Sequence, residues 1–312
     1  MSLPAPSNLR KDLTSAALEL VGTTLFLLLG LGGIQASTAE KLASTSGVTN
    51  VEQVLYISTC MGFSLVACAW MFFRITGSLF NPCITVALVL LGILPPVRGL
   101  LFFFAQFLGS ILASALLLWL TGTLSVNTYI RSGITPTQGV FIEMFITSAL
   151  VVSVLMLASE KHQATAFAPV GIGLTLFSCH LWAVHYTGAS MNTARSFGPA
   201  LLTGFSSSYH WVYWVGPFLG SILGSAFYAV CKHQKYWTLN PHQDANDHTE
   251  SPDDTVVAAQ AMIEERNLTL NPRGLVSQIS DQLPKLGVAN RTSARERSSS
   301  TLVAEGPLVS AV

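Results

Sequence analysis

Long apolar runs separated by short polar segments fill residues 16–231, and the pattern stops after that. Six runs, at about 16–34, 54–73, 100–120, 138–158, 166–184 and 211–231, are long enough to cross a bilayer core as helices, which takes roughly 20 residues. Two shorter apolar runs follow Asn81 and Asn192. At about ten residues each they make only ~15 Å of helix, half a bilayer. The first long run is no cleaved signal peptide, because it exceeds the length of such a segment and no small-x-small cleavage site follows a basic start. The pattern predicts an all-α integral membrane protein with a segment at 1–15, a membrane body at 16–231 whose halves are about 16–120 and 138–231, and a cytoplasmic, mostly disordered tail at 232–312.

Charge sharpens this division. Only 10% of the 312 residues are charged and 50% are hydrophobic, against about 25% charge in an ordinary soluble domain. The tail from 232 onward holds 8 Lys/Arg and 10 Asp/Glu, leaving 8 basic and 6 acidic residues for everything before it. A net charge of zero gives no footing for nucleic acid. The cysteines at 60, 68, 83, 179 and 231 have no paired spacing, which excludes a disulfide framework and a zinc site, and nothing calls for a metal or cofactor.

Lys and Arg set the orientation. Arg10, Lys11, Arg74, Arg98, Lys161, Lys232 and Lys235 fall on one side of the six spans, and Lys41, Arg131 and Arg195 on the other. Both termini are therefore predicted to be cytoplasmic, with the plasma membrane as the default location. The sequons at Asn267 and Asn290 should then carry no sugar. Within the tail, Ser251-Pro252-Asp253-Asp254 is a good helix start ahead of Val256, Val257, Ala261 and Ile263, and Arg295-Glu296-Arg297-Ser298 is a weak kinase signal.

The body repeats itself. Phe107-Leu108-Gly109-Ser110-Ile111-Leu112-Ala113-Ser114 recurs as Phe218-Leu219-Gly220-Ser221-Ile222-Leu223-Gly224-Ser225, and the offset of 111 (218 − 107) also carries Asn81 onto Asn192, Gly62 onto Gly173 and Cys68 onto Cys179. Three spans per half is an odd number, so the second copy must run upside down through the membrane. Gly109/Ala113 and Gly220/Gly224 have the spacing that lets helices pack closely. Glu19 and Glu143 are intramembrane acids, costly and functional by default. Each is either a proton-coupling site or a brace for non-helical backbone, and the symmetry favours the brace.

Asn81 and Asn192 each open a half-helix, where the side-chain oxygen can cap the first turn and the amide nitrogen remains a donor toward the centre. Two such helices entering from opposite sides bring their positive ends together. Water held there is oriented against relaying a proton, and cations are repelled.

The two Asn boxes, both intramembrane acids, the run Ala194-Arg195-Ser196-Phe197-Gly198-Pro199 and the six spans together resemble the aquaporins of the major intrinsic protein family over about residues 10–235. Arg74-Ile75-Thr76-Gly77-Ser78-Leu79-Phe80 and the long tail are similar to fungal members. The resemblance implies six spans and two half-helices around a pore in each protomer of a homotetramer. It places Asn81, Pro82, Cys83, Asn192, Thr193 and Ala194 at the central constriction, and Met61, His180, Ala189 and Arg195 at the outer filter. Ser196, Ala200, Tyr213 and Trp214 match the water-selective branch, since the glycerol-passing branch typically has an acid where Ser196 stands.

Three positions depart from the family pattern. Cys83 replaces an alanine, either as a small packing residue or as a thiol beside the constriction and the expected target of mercurials. Thr193 replaces a proline, restoring an N–H and loosening the contact between half-helices. Met61 stands where water-selective relatives usually have Phe, which opens the filter to larger solutes such as hydrogen peroxide. The leading expectation is a passive water channel that excludes ions and protons, and not an enzyme. Its alternatives are a channel for small neutral solutes such as peroxide or glycerol, a proton-coupled transporter using Glu19 and Glu143, and last an intramembrane hydrolase built from Ser190 with His185 or His180. His162 is a loop residue that would titrate near physiological pH if exposed.

Overall fold

A computed structural model describes residues 8–43, 51–131, 133–205, 208–240, 254–257, 259–260 and 262–263. The tail sequons, the Arg295–Ser298 run and Ser251–Asp253 lie outside the described residues. The residues divide into a unit up to Val256 and another from Val257 onward, and all elements below belong to the first.

Among the described residues eight α-helices follow in order: α1 (Leu9–Ala43), α2 (Val51–Phe72), α3 (Pro82–Leu90), α4 (Pro96–Thr121), α5 (Pro136–Val154), α6 (Ala168–Thr187), α7 (Thr193–Thr203) and α8 (Val212–His233). Six are long and apolar enough to span a membrane. α3 and α7 have 9 and 11 residues and are the two half-helices. Helix is the form that lets a chain in hydrocarbon satisfy its own backbone. Local chemistry marks the ends: Pro82, Pro96, Pro136 and Pro169 sit in first turns, where a missing N–H costs nothing. Thr135 and Gln138 close a capping box on α5, and Gly122 and Gly188 end α4 and α6 in the left-handed conformation.

The packing follows the repeat. α1 lies against α4 as α5 lies against α8, and α2 meets α6 between the halves. Each half-helix also contacts the last long helix of the other half, α3 against α8 and α7 against α4. Small residues make these approaches close. A Cβ at Gly109 would lie 2.9 Å from the Leu20 carbonyl oxygen, and one at Gly220 2.5 Å from that of Met144. Between α2 and α6, a Cβ on Gly62 or Gly173 would come within 3.0 or 2.8 Å of the other's carbonyl oxygen.

The helices outrun the predicted spans at several ends. α1 begins at Leu9 rather than 16, because Arg10, Lys11 and Asp12 continue the helix beyond its apolar stretch, and Asp12 is tied to Arg98 at 2.7 Å. α8 runs to His233, where Lys232 is buried against Glu160 at 2.9 Å. His162 caps a short 3-10 turn, its Nδ1 accepting from the Ala164 N–H at 3.2 Å and its Nε2 3.3 Å from the Met156 carbonyl oxygen.

Candidate pore constriction

The segments before the half-helices share an unusual backbone. Gly77, Ser78 and Phe80 have φ of 89°, 57° and 50°, and Gly188, Ala189 and Met191, each 111 positions later, have 81°, 50° and 52°. Four of these are not glycine, so the conformation is unfavourable and must be imposed by its surroundings.

The two buried acids impose it. Glu19 Oε1 accepts the Phe80 N–H at 2.6 Å and a Gln106 amide hydrogen at 2.9 Å. Glu143 accepts from Met191 N at 2.9 Å, Ser190 N at 3.0 Å and the Thr187 hydroxyl at 2.6 Å. Tyr213 adds a hydroxyl bond to the Thr187 carbonyl at 2.8 Å, fixing the end of α6.

Asn81 and Asn192 then bind the two segments to each other. The Asn81 oxygen caps α3 by accepting from Cys83 N at 2.9 Å, and the Asn192 oxygen caps α7 by accepting from Arg195 N at 3.1 Å. Asn81 Nδ2 donates to the Met191 carbonyl at 2.7 Å, while Asn192 Nδ2 donates to that of Phe80 at 2.8 Å. From the sequence, each amide nitrogen is a donor toward the centre. Instead, one hydrogen of each is bonded to the opposite segment, because the left-handed turns aim those carbonyls at it, and one hydrogen remains.

Two serines of the repeated octamer complete the frame. Ser221 donates its hydroxyl to the Cys83 carbonyl at 2.8 Å, and Ser110 donates to the Ala194 carbonyl. Both pairs obey the offset of 111 and both cross from one half to the other. Cys83 is fully buried with its sulfur 3.3 Å from the Thr193 hydroxyl. That burial runs against the expectation of a mercurial target, since the thiol faces protein. Pro82 and Ala194 flank the same contact and are buried as well.

At the four expected filter positions the side chains are buried to 2% exposure or less. Arg195 Nη1 donates to the Val126 carbonyl at 2.9 Å, holding the 123–131 segment, and its Nε has no partner among the described residues. His180 Nδ1 lies 2.9 Å from the Leu176 carbonyl and so carries the hydrogen, leaving Nε2 unpartnered among the described residues. Arg195 lies within electrostatic range of both His180 and Glu143. Met61 turns its sulfur to Gly30 of α1, where a Cβ would come within 2.7 Å. The Ala189 N–H is held by the Thr187 hydroxyl at 3.2 Å. Ser190 bonds the Asn192 carbonyl at 2.9 Å and the Ser196 hydroxyl at 2.6 Å, which in turn receives that of Thr128 at 2.9 Å. Its hydroxyl therefore joins a loop-fixing network instead of a Ser–His pair.

Gln106, Thr187, Ser110 and Ser221 carry bonds of this frame although no motif in the sequence marks them as site residues. Gln106 also bonds the Thr85 hydroxyl, at 2.8 Å. A lone amide in an apolar span was its signal, and the identical hydroxyls inside the repeated octamer were the signal for the serines.

The major intrinsic protein family matches residues 8–228. The chain is 61% identical to a protein named Aquaporin-1 from Laccaria bicolor, covering 82% of this chain and 83% of that one. It is 44% identical to Aquaporin-7 of Botryotinia fuckeliana over 88% of this chain and 60% of that one. Among solved structures, the aquaglyceroporin from Plasmodium falciparum shares the fold, with a TM-score of 0.58 and 19% identity, covering 71% of this chain and 99% of that chain.

Proposed function

The chain belongs to the major intrinsic protein family, whose members are membrane channels and not enzymes, and on that premise we propose that it conducts water passively down an osmotic gradient while excluding ions and protons. The observation that carries the reading is the reciprocal asparagine pair. Two helix N-termini are bonded to each other's lead-in segments, and the second hydrogen of each asparagine amide has no partner among the described residues. A water molecule there accepts from both sides, which leaves no acceptor through which a proton could be relayed, and the helix ends oppose cations.

The outer filter of this reading is Met61, His180, Ala189 and Arg195. The unpartnered His180 Nε2 and Arg195 Nε support it, as an acceptor and a donor for passing water. Glu19 and Glu143 act as braces. Their commitment to loop N–H groups argues against proton coupling, since protonating either would forfeit bonds that hold left-handed backbone. Met61 favours a second reading, in which small neutral solutes such as hydrogen peroxide or glycerol also pass, because a flexible thioether yields where a ring would not. We place the protein as a homotetramer in the plasma membrane with both termini in the cytoplasm. The Lys/Arg distribution supports the orientation, and exposed Phe63, Trp70 and Trp182 offer apolar surface to lipid or neighbouring copies.

Stopped-flow shrinkage of liposomes under a sucrose gradient tests the proposal. The protein should speed shrinkage over empty liposomes, and Asn192→Asp or Arg195→Glu should abolish the gain. Vesicles that shrink no faster than empty ones would refute a water pore, and a proton current would refute proton exclusion. Glycerol and peroxide gradients on the same vesicles decide the second reading.

A further inference from the structure

Two of the three departures from the family pattern, at Cys83 and Thr193, fall on one contact. Each residue lies in the first turn of a half-helix of a different repeat, both are fully buried, and the thiol sulfur lies 3.3 Å from the threonine hydroxyl. The offset of 111 carries Cys83 onto Ala194 and Thr193 back onto Pro82. The counterpart of this contact is thus a methyl and a proline ring, which cannot hydrogen-bond. One side of the junction is apolar and the other is bonded. The frame around it is otherwise symmetric, with the carbonyls of Cys83 and Ala194 taking hydroxyls from Ser221 and Ser110.

We propose that Cys83 and Thr193 are a matched pair of positioning residues whose thiol–hydroxyl hydrogen bond sets the distance between the two half-helix starts, and with it the discrimination of the pore. This rests on the channel reading above. The physical ground is that Asn81 stands two positions before Cys83 and Asn192 one before Thr193, so a link between the latter pair fixes the spacing of both asparagines. Replacing only one partner leaves a buried polar group facing an apolar one, which is worse than the bonded pair. The two departures compensate each other: proline at 193 would remove the hydroxyl that the thiol meets, and alanine at 83 would remove the thiol.

The test combines a spectroscopic and a transport measurement. In a background with Cys60, Cys68, Cys179 and Cys231 replaced by alanine, the infrared S–H stretch of Cys83 should shift when Thr193→Val removes the hydroxyl but keeps the shape. Reconstituted Cys83→Ala should lose about 2- to 10-fold in the ratio of water to glycerol permeability, the range one neutral hydrogen bond supports. Cys83→Ser, which restores a donor and acceptor, should recover the ratio. The double variant Cys83→Ala/Thr193→Val should be no worse than either single one. An unmoved S–H band, a ratio untouched in Cys83→Ala, or effects that multiply in the double variant would each overturn the pair. Wild-type vesicles without water permeability would sink the channel reading, whereas the S–H band would still judge the contact.

Discussion

A single carboxylate at position 143 organises the turn from Thr187 to Met191. It receives two backbone N–H groups and a hydroxyl, and bonds to a buried charged group are worth about 1.5–3 kcal/mol each. Glu143→Gln keeps one acceptor oxygen and points an amide at donors that need another. We expect a loss of about 2–4 kcal/mol, read as a lower thermal midpoint in detergent, with water permeability falling in step. A variant of unchanged midpoint that instead lost pH-gradient-driven uptake would return Glu143 to the proton-coupling reading. Half-buried outside the spans, His210 lies edge-on to Phe205 with ring centroids 4.8 Å apart, and its Nε2 has no partner among the described residues. Partial burial pushes its imidazole below the ordinary histidine range. The folded protein thus favours the neutral ring, and on acidification the unfolded chain takes up the proton first. Stability from this group is full above the ordinary histidine value and declines as the pH falls through it. Thermal midpoints measured between about pH 7 and about pH 5 should fall less in His210→Gln than in the wild type.

Among the elements, the half-helices depend on close approach. A Cβ at Gly198 of α7 would lie 2.2 Å from Ser110 Oγ and 2.7 Å from the Ser110 carbonyl oxygen. Gly198→Ala should therefore push α7 off α4 and break the Ser110–Ala194 bond, at about 1–3 kcal/mol, with water conduction lost even where the protein still inserts. Gly32, with nothing within 4 Å of its would-be Cβ, is the control, and Gly32→Ala should keep both midpoint and permeability. The same elements show how much the sequence discloses. The long helices were legible because a bilayer fixes how many apolar residues a span needs, and the half-helices because each asparagine precedes only half that number. Helix ends were less legible. The helix of α1 carries on through Arg10 to Asp12, where hydropathy has already fallen. The constriction was legible in its residue types but not in its bonding. Asn81 to Met191, Ser221 to Cys83 and Cys83 to Thr193 all join residues more than a hundred positions apart, and no local pattern announces such partners.

Across the whole body, the far end of α8 is fastened to the loop after α5. Buried Glu160 pairs with Lys232 at 2.9 Å and accepts hydroxyl bonds from Tyr228 and Tyr236, while Lys232 also sits 5.1 Å from the centre of the Trp237 ring. Removing one partner of such a pair costs about 3–5 kcal/mol, whereas removing both costs far less. Lys232→Met should accordingly lower the thermal midpoint much more than Lys232→Met combined with Glu160→Gln. Shortening the chain after Asn240 keeps every member of this cluster and gives up the exposed His233–Asp254 contact at 3.4 Å, so the midpoint should hold. The links between the repeats also bear on how the protein is made. A ribosome delivers the first half into the membrane with the Asn81 amide, the Ser110 hydroxyl and the carbonyls of Phe80 and Cys83 all lacking the partners that only residues 191–221 provide. The nascent chain must carry those polar groups until Ser221 has been synthesised. Its period of greatest exposure to quality control therefore falls in the second half of translation, when α1–α6 are already made and the centre is still open.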